Sequence, residues 1–249
     1  MISKAKISEI KKLAQKKFRE ESGLFIVEGT KSVTDLLLSQ LVVEEVFATS
    51  HWLAAHPLPQ SIRCAEVSPG ELERMSCLTT PQEVLATVRI PHFDPNTIDD
   101  RDAVIALDGI RDPGNLGTII RTADWFGFKQ VVCSPDCVEF TNPKTIQATM
   151  GSFCRMRVFS TDLPDFLKEK NCSILGTFMN GEPIETVKFN RNDILVIGNE
   201  SNGISRAVEA LVSRRIHIPS FATSPTHAES LNASIAASVV MYQYRLRIQ

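Results

Sequence analysis

The stretch "DGIRDPGNLGTIIRTADWFG" (residues 108–127) runs from an apolar strand through a glycine-containing loop into a helix. Loops of this kind in α/β proteins hold phosphates, because the amides at a helix start are unpaired and favour an anion. Gly114 and Gly117 do not have the GxGxxG spacing of a dinucleotide loop. Leu116, Ile119, Ile120, Ala123 and Phe126 share one helical stripe, with Asn115 as the expected N-cap and Gly127 as the expected stop. Arg121 lies off that stripe, four residues after Gly117, and helical side chains lean toward the N-terminus. A guanidinium there is a fork suited to phosphate. The residues therefore point to a phosphate carried by a substrate backbone. For Arg121 taken alone, a solvated surface arginine is the plainer reading.

Two later loops also carry polar groups at strand ends. "VIGNESNGIS" (196–205) brings Gly198, Asn199 and Glu200 to the end of the apolar strand "ILVI". Gly and Asn suit a turn, and a glutamate among them can accept hydrogen bonds from a ligand. "IHIPSFATSPTHAESLNASIAASVVMYQ" (216–243) runs from a strand through a polar loop into a helix. Ser230 and Asn232 stand at its start and are capping residue types. Ala233, Ser234, Ala236, Ala237 and Ser238 give that helix a small-residue surface, suited to core packing or to a subunit interface. HExxH, the EF-hand loop, GxxxxGK[ST] and GxSxG are all absent. Histidines at 51, 56, 92, 217 and 227 are dispersed, and no metal is expected.

These loops need a sheet to hold them. "AVIALDG", "KQVVCSP", "SILGTF", "DILVIGN" and "RIHIPS" read as strands between helical patterns at 115–126, 142–150, 162–170 and 205–212, with a long helix from about 229. Continuous apolar strands alternating with helices predict a mainly parallel sheet covered on both faces. Ligands in such sheets sit beyond the strands' carboxyl ends. Upstream, "LFIVEG", "VEEVFAT", "IRCAEV" and "EVLATVRI" interleave with helical "TKSVTDLLLSQ" and "PGELERMS", a small α/β domain. "IPHFDPNTIDDRD" (90–102) is the linker candidate. The expected division is residues 1–91, a linker at 92–102, and 103–249.

Hydrophobic residues at 43% and charged residues at 22% describe an ordinary soluble globular chain of 249 residues. The net charge of −2 conceals an asymmetry, since residues 1–20 carry seven basic and two acidic side chains and the remainder stands at −7. Ile7, Ile10, Leu13, Ala14 and Phe18 share one side of a helical wheel, with Lys4, Lys11, Lys12, Lys16 and Arg19 on the other. Such a segment suits nucleic acid or a membrane surface, or is a solvated face. Six cysteines without a CxxC pair suggest reduced thiols and a cytoplasmic protein. Neither a signal peptide nor a membrane span is expected.

In this order and spacing, the three loops resemble the sequence motifs of the SpoU (TrmH-type) family of RNA ribose 2′-O-methyltransferases, within the SPOUT superfamily. "LDGIRDPGNLGTIIRTADWFG" is similar to the first motif, "LVIGNESNGIS" to the second and "IPSFATSPTHAESLNASIAAS" to the third. "KKFREESGLFIVEG" and "TTPQEVLATVRIP" resemble the start and end of the family's N-terminal substrate-binding domain, which is like a ribosomal-protein (L30e-like) fold. The resemblance implies S-adenosylmethionine as methyl donor, a C-terminal trefoil knot, a homodimer through the C-terminal domain, and no metal. By motif, Asn115, Arg121, Glu200, Ser230 and Asn232 match the catalytic positions, and Gly198, Asn199, Ile218 and Leu231 the cofactor contacts. Lys4, Lys11, Lys12, Lys16 and Arg19 are the RNA-contact candidates. Ser201 stands where the family commonly has glycine, and the segment from Pro219 to Ser230 is longer than usual and lacks the usual Met and Gly.

Ribose methylation needs in-line approach, so positioning supplies much of the rate. Arg121 would grip the phosphate beside the target ribose. With a pKa above ~12 it is a poor resting base, which leaves that phosphate or a transiently deprotonated arginine as proton acceptor. Glu200, Ser230 and Asn232 would fix the substrate and loops. The expected substrate is 23S-type ribosomal RNA ahead of transfer RNA. The alternatives are a catalytically silent RNA-binding member of the family and a Rossmann-type nucleotide enzyme.

Overall fold

A computed structural model describes residues 2–224, 226 and 228–248. His227, one of the five histidines considered above, lies outside the described residues. In chain order the elements are α1 (Lys4–Lys12), α2 (Lys16–Ser22), β1 (Leu24–Glu28), α3 (Thr30–Leu37), β2 (Val43–Ala48), α4 (Ser50–Ala55), β3 (Cys64–Glu66), α5 (Pro69–Met75) and β4 (Val84–Arg89). There follow β5 (Val104–Asp108), α6 (Pro113–Trp125), β6 (Gln130–Cys133), α7 (Pro143–Thr149), β7 (Arg157–Ser160), α8 (Leu163–Lys168) and β8 (Ile174–Pro183). Last come β9 (Ile194–Gly198), α9 (Arg206–Glu209), β10 (Arg214–His217) and α10 (Ala233–Arg247).

The chain forms two compact units, and their boundaries differ from the expected division. The first runs to His92 and also includes Glu139–Cys154. That excursion belongs there because Ile146 and Phe153 join Phe25 in one apolar core, with the rings of Phe25 and Phe153 edge-on at 6.3 Å. The expected linker is structured as well. From Phe93 it belongs to the second unit, and Ile98 is buried in that unit's core.

The first unit holds a four-stranded mixed sheet in the order β1-β4-β2-β3, in which only the β2–β3 pair is parallel. All four strands match the apolar runs of the sequence. The single N-terminal helix does not, because α1 ends at Lys12 and α2 begins at Lys16. Ile7, Ile10 and Leu13 are buried as the periodicity requires.

The second unit holds six parallel strands in the order β10-β8-β9-β5-β6-β7. Apolar residues of α8 and α9 pack on Val104, Ala106, Val132 and Val196 of the sheet. The helices α6 and α10 pack on each other and on β6 and β9. The chain leaves β5 toward β6 and β7, then returns to place β9 on the other side of β5. This strand order creates a switch point between β5 and β9, where Asp108 lies in register with Gly198. A crevice at the carboxyl ends of such strands is where an α/β sheet holds its ligand.

Candidate active site

The loops after β5 and β9 are tied to each other at that switch point. Asn199 Nδ2 donates to the carbonyl of Gly109 at 2.8 Å, and the buried Asp108 carboxylate accepts from the Ser205 amide at 2.7 Å. From the far side the turn after β6 supports the first loop. Ser134 Oγ accepts from the Gly109 amide at 2.9 Å, and Cys137 Sγ accepts from the Ile110 amide at 3.2 Å. The hydrogen bond from the Cys133 thiol is the largest influence on Cys137, aided by Ser134 and the two loop amides. Together they outweigh desolvation and lower the Cys137 thiol to about 7.

The helix start differs from expectation. Asp112 is the N-cap of α6, accepting from the Asn115 amide at 2.8 Å, with Pro113 in the first turn. Pro113 has no amide to satisfy and its φ suits a first turn, so the helix begins three residues earlier than Asn115 would set it. The Asp112 carboxylate thus occupies the Asn115 amide at the helix start and places a negative charge there, which disfavours a substrate phosphate at that point. The Asn115 side chain, relieved of capping, is free to work elsewhere. It donates from Nδ2 to Glu200 Oε1 and accepts at Oδ1 from Asn232 Nδ2 at 3.0 Å. Asn232 in turn is the N-cap of α10, its Oδ1 accepting from the amides of Ser234 and Ile235. One polar residue from each of the three loops is thereby joined in a continuous chain.

Beside this chain lies a cavity of about 720 Å³ whose walls include Gly198, Asn199, Glu200, Ile218, Ser230 and Leu231. All four expected cofactor contacts and two of the five expected catalytic residues line it. Arg121 does not. It is exposed on α6, six residues or about 9 Å of helical rise from Asn115. Among the described residues it has no hydrogen-bond or ion-pair partner. Sequence reasoning missed Thr177, Phe178, Met179 and Phe221, which also line the cavity. The strand read in "SILGTF" included Thr177 and Phe178 without showing that they leave the ladder, and it stopped before Met179. Phe221, an aromatic inside a polar loop, was the available signal.

Arg19 is not available to RNA. It is 2% exposed, donates to the carbonyls of Leu13 and Ala14, and pairs with Glu139 at 2.7 Å. The break between α1 and α2 exposes those carbonyls, and a buried guanidinium with five donors satisfies them. Lys11 reaches the Ser76 carbonyl, and Lys16 pairs with Glu20 and Glu139. Lys4 and Lys12 have no carboxylate partner among the described residues. On α10, Ala233 and Ala237 are buried within the chain, and Ser238 reaches Thr122 of α6, so this part of the small-residue face packs against α6.

Six parallel strands, helices on both faces and polar loops beside a cavity at the carboxyl ends of β8, β9 and β10 define an α/β protein with one converged candidate site. The chain belongs to the SpoU rRNA methylase family, whose model matches residues 102–242, and residues 4–86 match an MRM3-like substrate binding domain. Among curated relatives, the 23S rRNA (guanosine(2553)-2′-O)-methyltransferase RlmP of Bacillus subtilis is 30% identical, with 96% of each chain covered. A TrmH-family protein from Porphyromonas gingivalis has a solved structure that superposes with a TM-score of 0.90 at 31% identity, over 99% of each chain. An AdoMet-bound rRNA methyltransferase from Sinorhizobium meliloti superposes with a TM-score of 0.88 at 25% identity, over 99% of this chain and 96% of that one.

Proposed function

We propose that this chain methylates a ribose 2′-hydroxyl of RNA with S-adenosylmethionine as donor, and that its substrate is large-subunit ribosomal RNA. The observation that carries this reading is the hydrogen-bonded chain Glu200–Asn115–Asn232 beside the cavity at the carboxyl ends of β8, β9 and β10. The cavity fits the cofactor in chemical character. Ile197, Ile218, Ala233 and Ala236 give apolar walls for an adenosyl group, and Asn199 and Glu200 give polar groups for its charged end. When bound, the cofactor supplies an electrophilic methyl group. The protein's own residues do the rest. Asn115, Glu200 and Asn232 hold one another in fixed orientations, so the ribose hydroxyl meets donors and acceptors already arranged. Ser230 adds a hydroxyl to the same wall. Arg121 clamps the phosphate next to the target ribose, and that phosphate takes the hydroxyl proton as the methyl group passes from the cofactor sulfur to the ribose oxygen.

The test is incubation with labelled S-adenosylmethionine and separate RNA fractions, followed by mapping of the methylated ribose. Label in a ribose of large-subunit RNA supports the reading. RNA binding with no calorimetric response to the cofactor identifies a silent family member instead.

The proposal extends to the architecture. A trefoil knot in the second unit is supported by the SpoU family match over residues 102–242. An L30e-like RNA-binding role for the first unit is supported by its mixed sheet and by the substrate-binding match. Its RNA contacts are assigned to Lys4, Lys11, Lys12 and Lys16, without Arg19. Changing Lys4, Lys12 and Lys16 to Gln is expected to flatten the salt dependence of RNA binding by about 0.7 per lost contact on a single-stranded target. An unchanged slope returns these lysines to a solvated face. A cytoplasmic setting is supported by six free cysteines, and among the described residues no helix is long and apolar enough to cross a membrane.

A homodimer through α10 is supported by a different face of the helix from the one expected. Ile235, Tyr242 and Leu246 are exposed at helical spacing, with half-buried Val239 between them. Exposed Trp125 ends the neighbouring α6. A symmetric interface places each side chain twice, so Leu246→Glu, which sets two carboxylates in the patch, is expected to give a folded monomer by sedimentation. A wild-type monomer at micromolar concentration refutes the dimer.

A further inference from the structure

Large apolar side chains stand around the cavity with little protein to cover them. Phe221 is 89% exposed and Met179 is 74% exposed, and both line it. The backbone puts them there. The β8–β10 ladder passes from Gly176 opposite Arg215 directly to Glu182 opposite Ile216, which leaves residues 177–181 outside it. A β-carbon on Gly181 would sit 2.5 Å from the Arg215 carbonyl oxygen, so the chain can rejoin the ladder at that point only as glycine. Met179 rides on this excursion. Phe221 follows Pro219 on the loop after β10.

The chemistry of the reaction names an occupant. A ribose presented to the cavity arrives with its nucleobase, and a base taken from its stack loses the contacts of its neighbours. Aromatic side chains recover that loss, because every base offers a π-face. Two aromatic rings line the cavity, and one has a face already covered. The Arg215 guanidinium lies 3.7 Å from the centre of the Phe178 ring, held there by Asn180 at 3.0 Å and by Glu209. Phe221 has neither ring nor cation against it among the described residues. The adenosyl group has its own walls in Ile197, Ile218, Ala233 and Ala236, whereas Phe221 stands out into solvent.

We propose that Phe221, flanked by Met179, is the stacking platform for the nucleobase of the target nucleotide, a positioning residue for RNA that is separate from cofactor binding. This rests on the methyltransferase reading above. Stacking acts equally in the bound and reacting states, so its loss belongs in KM and not in kcat. Against an unmodified 23S rRNA transcript, Phe221→Ala is expected to raise KM for RNA about tenfold. Its kcat and its calorimetric affinity for S-adenosylmethionine should stay within about twofold of wild type, and Phe221→Tyr should restore KM. In Phe221→Trp, the added indole emission should be quenched by the transcript and not by S-adenosylmethionine alone. A cofactor affinity that falls together with RNA affinity makes Phe221 an adenine wall and overturns the proposal. So does an unchanged KM, or an altered sedimentation coefficient in Phe221→Ala. The fluorescence measurement needs no turnover. A wild-type protein that methylates nothing refutes the enzyme reading, while an indole that RNA leaves unquenched refutes the platform.

Discussion

Arg121→Ala is expected to lower methyl transfer by about 10²–10³-fold, the usual loss when a preorganised charge donor is removed. Cofactor affinity should be untouched, because Arg121 does not line the cavity that holds the proposed cofactor contacts. Stability should also be untouched. The side chain is exposed and has no partner among the described residues, and surface substitutions of that kind stay within about 0.5 kcal/mol. The loss therefore belongs to the substrate step alone. With the Asp112 carboxylate at the start of α6, the Arg121 guanidinium is the cationic donor this helix offers a phosphate. Arg121→Lys should recover little, since an ammonium cannot reproduce a planar fork with two parallel donors. Single-turnover transfer, calorimetry and thermal melting on the two variants separate these effects. Wild-type transfer by either variant removes Arg121 from the mechanism.

What was legible in the sequence was what local patterns govern. Asn115, Glu200 and Asn232 each read alone as cap or turn residues, and they were recoverable because three motifs in order and spacing resemble those of one family. The structure joins all three. The sheet was legible from continuous apolar runs, except that β7 lay unnoticed in "RMRVFS" among polar residues. What could not be read was set by distant partners. Arg19 looks like every other cation on its wheel, and it is buried by Glu139, 120 residues away. Residues 139–154 carry an ordinary helical pattern, and only the pocket left beside Phe25 assigns them to the first unit. Residues 177 and 178, the start of the excursion, read as strand, because the register that expels them is fixed by Arg215 and Ile216. The small face of α10 could be read as core or interface, and its neighbour α6 covers part of it.

Gly198→Ala is expected to remove most cofactor binding and to destabilise the second unit. Gly198 ends β9, in register with Asp108, and lines the cavity. A β-carbon at this position would lie 2.4 Å from the carbonyl carbon of Gly203, 2.4 Å from the amide nitrogen of Ile204 and 2.7 Å from the Gly203 oxygen. All three are backbone atoms, so no rotamer change relieves the clash. The loop is also closed on itself, with Asn199 and Gly203 exchanging amide–carbonyl bonds at 3.1 and 2.8 Å. It is anchored beyond by buried Ile204 and by the Ser205–Asp108 bond. The methyl group must therefore move a closed and anchored loop or distort β9. Overpacking of this kind typically destabilises by about 1–3 kcal/mol, visible as a lower midpoint in thermal melting. Asn199 and Glu200 move with the loop, which takes one wall of the cavity and the Asn115 partner out of place. A displacement worth about 2 kcal/mol of binding energy lowers S-adenosylmethionine affinity roughly 30-fold in calorimetry. Gly70→Ala is the matched control, because a β-carbon there meets nothing within 4 Å and Gly70 does not line the cavity, so affinity should stay within about twofold. A folded Gly198→Ala protein that binds the cofactor as wild type does would mean that the cavity beside Gly198 is not the cofactor site.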